Sequence, residues 1–287
     1  MKNLIRKTYN KFLENYQISK LAIISLYQGW MNRHLFQDCE KYCMFIGYPR
    51  SGHSLVGTLL DAHPNIIIAH ELDALKYIKA GFSSLQMYYL LLKNSQYFIS
   101  KTLEIPVARF KWIVPNQWNG KFTNLKVIGD KKGDGSTRIL KNNFELLQTL
   151  SSAINIPIKI IHVIRNPFDN ISTMYNKSPS RSLEVCIDRY FDLCHTNESI
   201  MKLIDSNNIF LLKLESLIAY PKKEIEEMIK SFLGIEVDNQ YLEDCSSLIF
   251  DSPNKTRNKT PWNEELIELT QKKIDQVSFL KGYNFYN

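Results

Sequence analysis

The sequence predicts an α/β protein: a single domain with a mostly parallel central sheet, helices on both faces and a P-loop-like nucleotide site. Three observations predict it. Short apolar runs alternate with helical periodicity along most of the chain. One of those runs leads directly into a Gly-x-x-x-x-Gly loop and then a helix. No stretch rich in Pro, Gly or Ser divides the 287 residues. The composition, 44% hydrophobic and 23% charged, suits one folded core and excludes a disordered chain.

Residues 1–40 read as an N-terminal helical segment packed on the body, and 41–287 as the domain proper. Within the first thirty residues charges interrupt every apolar run, and the longest, Leu21 to Tyr27, is too short to span a bilayer. With no leader cleavage site either, a cytoplasmic location is expected. The segment is amphipathic, and packing on the body is preferred to membrane association.

The domain then opens with a strand, Cys43 to Tyr48, followed by a loop and a helix bearing Leu55, Val56, Leu59 and Leu60 on one face. Ile66 to Ala69 is a second short strand. Leu72 to Leu92 is helical in period, with a break near Gly81. Residues 95–126 show no clear period and read as irregular with short strands; their aromatics, like Phe82, Tyr88 and Tyr89 before them, pack by default, and Trp112 and Trp118 carry no assigned role. Leu125 to Gly129 reads as a strand, Asp130 to Gly135 as a polar turn, and Thr137 to Ile154 as one helix. Ile158 to Ile164 is the strongest buried strand, β-branched and bounded by Pro157 and Pro167. Helices follow over about 168–176 and 182–205, then a strand from Ile209 to Lys213. Pro221 to Leu233 is a helix closed by Gly234. A polar loop, Ser252 to Thr260, precedes a last helix from Pro261 or Trp262 to Val277.

Charge and cysteine usage narrow the chemistry. With 36 Lys and Arg against 29 Asp and Glu the chain carries a formal +7, which favours an anionic ligand. The basic residues are scattered, without a nucleic-acid-binding signature, so nucleic acid is not an expected partner. Five cysteines with no Cys-x-x-Cys pair signal neither a disulfide scaffold nor a zinc cage, and no metal site is expected.

The Gly47 to Ser54 loop (Gly-Tyr-Pro-Arg-Ser-Gly-His-Ser) has the spacing and the strand-loop-helix context of a phosphate cradle. Backbone amides of Gly52, His53 and Ser54 would face an anion at a helix N-terminus. Yet His53 stands where an ATP-using loop carries Lys, the cation comes earlier as Arg50, and the strongest later strand ends in Arg165 rather than a magnesium-binding Asp. A Mg-ATP-dependent small-molecule kinase is therefore the alternative, with a non-catalytic nucleotide-binding module as a third reading.

Taken with its surroundings, YPRSGHSLVGTLLDAHPNI resembles the loop of the sulfotransferases that use 3′-phosphoadenosine-5′-phosphosulfate (PAPS), most closely in the tyrosine-directed and carbohydrate branches, with His53 replacing a hydroxyl residue. VIRNPFDNISTMY resembles that family's 3′-phosphate motif, a strand-ending Arg followed eight residues later by a hydroxyl. LLKLESLIAYPKKEIEEMIKSFLGIE resembles its later strand-loop-helix and SPNKTRNKTPW its basic closing loop. The resemblance spans about Met44 to Tyr283.

It implies a sulfotransferase domain over 41–287 that passes a sulfuryl group from PAPS to a hydroxyl, amine or carbamoyl nitrogen of a small metabolite or sugar, leaving PAP, without metal. Arg50, Ser51, Gly52, His53 and Ser54 would hold the 5′-phosphosulfate. Arg165 with Ser172 or Thr173 would hold the 3′-phosphate, and Lys255, Arg257 and Lys259 from the closing loop would fold over the nucleotide, Arg257 or Lys259 reaching the 3′-phosphate. Lys131, in GDKKG, matches the Lys that stabilises the transferring group, with Lys132 beside it. Glu71 falls at the interval of the tyrosine-directed branch's base, and His70 is the alternative; a carboxylate suits the role if burial raises its pKa. His63 reads as a helix-ending residue and His162 as a core residue. Abundant Lys, Asn and Ile point to a bacterial source, and with a cytoplasmic location expected, a cytosolic small molecule is favoured as acceptor, for which a specialised metabolite would fit.

Overall fold

The computed structural model describes residues 2–104, 113–178 and 180–287, with side chains from residue 16 onward. Strands β1 (Lys41–Gly47), β2 (Ile66–His70), β3 (Val127–Lys131), β4 (Ile158–Ile164) and β5 (Ile209–Lys213) run parallel in the spatial order β2-β3-β1-β4-β5. On β1 the side chains alternate: Tyr42, Met44 and Ile46 enter one core, while Cys43 and Phe45 enter the other. Burial on both faces is what a parallel sheet demands. It explains why the strands read as continuous apolar runs.

The helices are α1 (Lys2–Met31), α2 (His53–Asp61), α3 (Ala74–Lys79), α4 (Ser84–Glu104), α5 (Asp134–Asn142), α6 (Leu146–Ile154), α7 (Pro167–Asn176), α8 (Leu183–Lys202), α9 (Leu214–Ala219), α10 (Pro221–Glu226), α11 (Asn239–Ser246) and α12 (Glu264–Gln276). α1 lies against α4 with Ile18, Leu21 and Ala22 on the core. The approach is close, since a Cβ on Gly29 would come within 2.6 Å of the Leu85 carbonyl oxygen. Tyr48, Phe168, Tyr190 and Phe279 belong to a third cluster between α7, α8 and the C-terminal segment. All five cysteines are free thiols. Among the described residues no helix is long and apolar enough to cross a membrane.

Four expectations are corrected. The third strand is Val127–Lys131, so Asp130 and Lys131 are strand residues rather than the start of a turn. Their polar ends have partners: Asp130 accepts from the Leu72 and Ala74 amides at 3.1 and 2.8 Å. The helix expected over 137–154 is two, because Asn143 (φ −160°, ψ 82°) breaks it into α5 and α6. Residues 227–232, read as regular α-helix, form a π turn closed by Gly234 in the left-handed region. Residues 95–104 continue α4, and among the described residues of 113–126 there is no strand. Phe82 and Tyr88 are core residues, Trp118 is exposed, and Trp112 lies outside the described residues.

Candidate active site

Strand order places the site. β1 has β3 on one side and β4 on the other, so the chain reverses its winding there and the C-terminal rim opens into a crevice. The loop after β1 occupies that crevice. Gly47 (φ +143°) and Gly52 (φ +99°) make its turns, and Arg50 takes a left-handed φ of +70° without being Gly. A Cβ on Gly52 would press on Leu214 Cδ1 at 2.8 Å, and the φ of +99° strains any residue with a side chain, so the position favours Gly. Gly52 also serves as the N-cap of α2 and offers no side chain to its first amides. The leading turn thus has no side-chain cap and is open to an external acceptor, water or an anion.

The loop is braced from behind by a buried polar chain that the sequence reading missed. The Gly47 amide donates to Thr137 Oγ1 (3.0 Å), Thr137 donates to Asn197 Oδ1 (2.8 Å), and Asn197 and Tyr48 meet His162 Nε2 at 3.4 and 3.2 Å. Asn170 Nδ2 donates to the Pro49 carbonyl at 2.8 Å, tying α7 to the loop. Only the burial of Asn197 and Asn170 within otherwise apolar helix faces could have signalled this. His53 is buried too, with Nδ1 3.1 Å from Ser51 Oγ and its ring under Gly133. Burial first, and the Lys131 charge second, push its pKa down to about 3, so the imidazole is neutral. Arg50 is exposed and Ser54 half-buried.

On the β3 side, Lys131 lies almost wholly buried, with Nζ 3.1 Å from each of Ser54 Oγ, His70 Nε2 and Glu71 Oε1. The cross-strand register His70↔Lys131 brings them together, although they are some sixty residues apart in sequence. Close packing aims the lysine: a Cβ on Gly57 would sit 2.9 Å from Lys131 Cγ. Burial pulls the lysine pKa down against the opposing pull of Glu71. His70 stacks on Phe98 (3.7 Å between ring centroids), and burial, then the Lys131 charge, push its pKa down to about 4.

The condition placed on Glu71 is not met in this state. Burial raises its pKa, but the charge and hydrogen bond of Lys131, joined by His70 and Lys132, outweigh burial and leave it below the ordinary carboxylate value. Glu71 and Asp73 both hold positive φ, +60° and +69°, on a short bend pinned by the Asp130 carboxylate. Lys131 rather than Lys132 points into the cluster. Beneath it a cavity of about 10 Å³, room for one water, is lined by Gly57, Thr58, Asp61, His70 and Phe98.

On the β4 side, Arg165 is buried just beyond the strand. Its Nη1 donates to Thr173 Oγ1 (3.2 Å), and its Nη2 donates to the Asn254 carbonyl and to Thr256 Oγ1. Thr173 is therefore the hydroxyl beside the guanidinium. Ser172 points into the core, where its Oγ accepts from Trp262 Nε1 at 2.8 Å. Of the closing loop's cations, Lys255 and Lys259 are exposed while Arg257 is buried against Asp169. Asp169 Oδ1 also accepts from the Arg257 amide at 3.0 Å, and Arg257 Nη2 donates to the Asn287 carbonyl. A cavity of about 310 Å³ opens here, with Asn166, Lys213, Glu215, Lys255, Arg257 and Tyr283 among its walls. His63 Nε2 donates to the Glu236 carbonyl at 3.1 Å, its Nδ1 accepts from the Asn65 amide, and its ring stacks edge-on against Tyr241, a structural position at the end of α2.

A parallel sheet with a glycine-turned loop at its switch point, flanked by two buried cations, is an arrangement that can take an anionic ligand, and it is the one the resemblance to sulfotransferases implies. The chain belongs to that family: the sulfotransferase domain model matches residues 41–281. No curated protein matches the chain in sequence. Among solved structures it is similar to the sulfotransferase domain from the curacin biosynthetic pathway, at 14% identity and TM-score 0.50, over 84% of this chain and 99% of that one. It is also similar to sulfotransferase STF1 from Mycobacterium tuberculosis (11%, 0.49, 88% and 80%) and to mouse sulfotransferase SULT7A1 complexed with PAP (13%, 0.46, 84% and 85%).

Proposed function

We propose that this chain is a PAPS-dependent sulfotransferase acting by in-line displacement on a hydroxyl, or an amine or carbamoyl nitrogen, of a small metabolite or sugar. The observation that carries the reading is the position of Lys131: one buried ammonium reaches the phosphate loop through Ser54 and both candidate bases, Glu71 and His70. Sulfuryl transfer needs a cation in that place, between leaving group and acceptor.

The residues present fit a doubly phosphorylated nucleotide. Uncapped amides at Gly52, His53 and Ser54, with Ser51 and Arg50, suit the 5′ end. Arg165 and Thr173 suit the 3′-phosphate, with Lys255, Arg257 and Lys259 on the segment that covers it. When bound, PAPS supplies an activated sulfuryl group joined to a phosphate leaving group. The rest is the work of the chain's own side chains.

Lys131 has more partners than an ammonium can serve once an anionic group arrives beside Ser54. As its charge turns to that group, Glu71 loses the partner that holds its pKa down. Burial then dominates and the carboxylate becomes a stronger base for the acceptor proton. His70, neutral and stacked on Phe98, keeps Lys131 aimed. The direct test compares thermal shifts with PAP and with Mg-ATP, followed by transfer from labelled PAPS to hydroxyl and amine acceptors. Stabilisation by PAP alone, with transfer, is expected; stabilisation by Mg-ATP and not by PAP would replace the reading with a kinase.

A further inference from the structure

Over its described side chains, from residue 16 onward, helix α1 has two apolar faces, and only one of them is packed. Ile18, Leu21 and Ala22 pack on the core, Ser25 is fully buried, and Gln86 on α4 donates to the Ala22 carbonyl at 2.9 Å. The opposite face is bare: Tyr16, Ile23, Leu26, Tyr27 and Trp30 are 62, 74, 62, 61 and 55% exposed. At about 100° per residue, Tyr16, Ile23, Tyr27 and Trp30 fall within roughly 60° of arc, directly behind the buried face. Scattered exposed apolar residues are ordinary, but five on one face of one helix form a patch that water alone does not explain.

Charge decides what covers it. α1 carries Lys2, Arg6, Lys7, Lys11 and Lys20 against Glu14 as its single acid. Exposed Lys20 borders the apolar arc, about 20° beyond Tyr27, and the Arg33 guanidinium stacks 4.5 Å over the Trp30 ring. A second copy of the helix would set like charge against like. An anionic surface would be attracted to the cations while taking up the aromatic and aliphatic side chains.

We propose that the outward face of α1 docks the enzyme on an anionic lipid bilayer, with the helix lying in the plane of the interface. Trp30, Tyr27 and Tyr16 sit at headgroup depth, each with an apolar ring and a polar atom. Ile23 and Leu26 enter the acyl boundary. The helix does not span, consistent with its length-averaged polarity.

The experiment is co-sedimentation of the full chain with vesicles of phosphatidylcholine alone or mixed with phosphatidylglycerol. Binding to the mixed vesicles, weakened several-fold at about 0.5 M salt, is expected. The Ile23→Asp/Trp30→Asp double variant should lose about tenfold or more in partitioning, because two apolar side chains leave the interface. Trp30→Phe should retain most of it. Both positions are exposed, so circular dichroism should report an unchanged fold; Lys20→Glu provides a second, gentler variant with an intermediate loss. The proposal is overturned if folded wild-type protein ignores the anionic vesicles, or if the double variant partitions equally well. A salt-strengthened dimer in analytical ultracentrifugation that the same double variant dissociates, without vesicle binding, would assign the face to a second copy instead.

Discussion

Lys131 and Arg165 flank the phosphate loop from opposite sides, one ending β3 and the other following β4, and both are buried cations. Their partners differ in kind. Lys131 touches three side-chain tips, of which Glu71 is half-exposed and able to turn away. Arg165 is held by a backbone carbonyl, by Thr173 and by Thr256, within a segment that Asp169 locks through Arg257. A cation with exchangeable partners suits a group that changes charge during a reaction, and one with fixed partners suits a group that only binds.

That difference predicts a division of labour, and Glu71→Gln tests it most severely. Removing a general base should depress turnover by roughly 10²–10⁴-fold. PAP affinity should stay nearly intact, as measured by calorimetry. A parallel loss of nucleotide binding would take Glu71 out of the base role and leave Lys131 with one purpose on both sides of the site.

Lys131→Met should lower turnover by about 10²–10³-fold, the scale of a lost electrostatic stabiliser. Its sharper signature is in pH. In the nucleotide-free wild-type protein Glu71 titrates below its ordinary value, so kcat/KM for the donor should be lost only as the pH falls through that lowered range. Without Lys131 the raising effect of burial is opposed only by His70 and Lys132, and the acid limb of kcat/KM should move to higher pH. An unmoved limb would show that Lys131 does not set the state of Glu71.

On the other side, Arg165→Ala should weaken PAP binding by about 1.5–3 kcal/mol, the range of a charge-assisted hydrogen bond. Turnover at saturating donor should change far less. A large fall in kcat with unchanged PAP affinity would erase the contrast between the two cations.

How much of this was legible in the sequence depends on how local each feature is. The bounds of β4 and β5 coincide with the apolar runs at Ile158 to Ile164 and Ile209 to Lys213. β3 was misplaced by two residues because Asp130 and Lys131 are polar, and a buried polar strand end is intelligible only once their partners from the β2 side are in place. The break at Asn143 lies in an Asn-Asn pair that helical periodicity alone overrode. Loop spacing singled out Arg50 to Ser54 and the strand end singled out Arg165, and the strand order sets both on the same rim of the sheet. The brace from Thr137 through Asn197 to His162 joins residues from α5, α8 and β4, and no linear pattern records such a chain. The bare face of α1 was similarly hidden, since amphipathicity announces one buried face and α1 has two apolar ones.

The smallest expected effect separates neighbours that sequence spacing left tied, Ser172 and Thr173. On α7 they are adjacent and therefore point about 100° apart, so one geometry cannot serve both. Thr173 Oγ1 faces Arg165 and Thr256, at 3.2 Å from each. Ser172 Oγ instead receives the Trp262 indole N–H from the segment just past the closing loop. Thr173→Val keeps the side-chain volume and removes only the hydroxyl, so PAP affinity should fall by about 1.5 kcal/mol, the low end for a hydrogen bond to a charged group, with a modest loss of melting temperature because Arg165 Nη1 loses a partner. Ser172→Ala should do the reverse. It strands a half-buried indole donor, lowering stability by about 1–3 kcal/mol in urea unfolding while PAP affinity measured on the folded protein holds. If the two variants exchanged their effects, α7 would have to rotate on nucleotide binding, and the Arg165 side would prove as changeable as the Lys131 side.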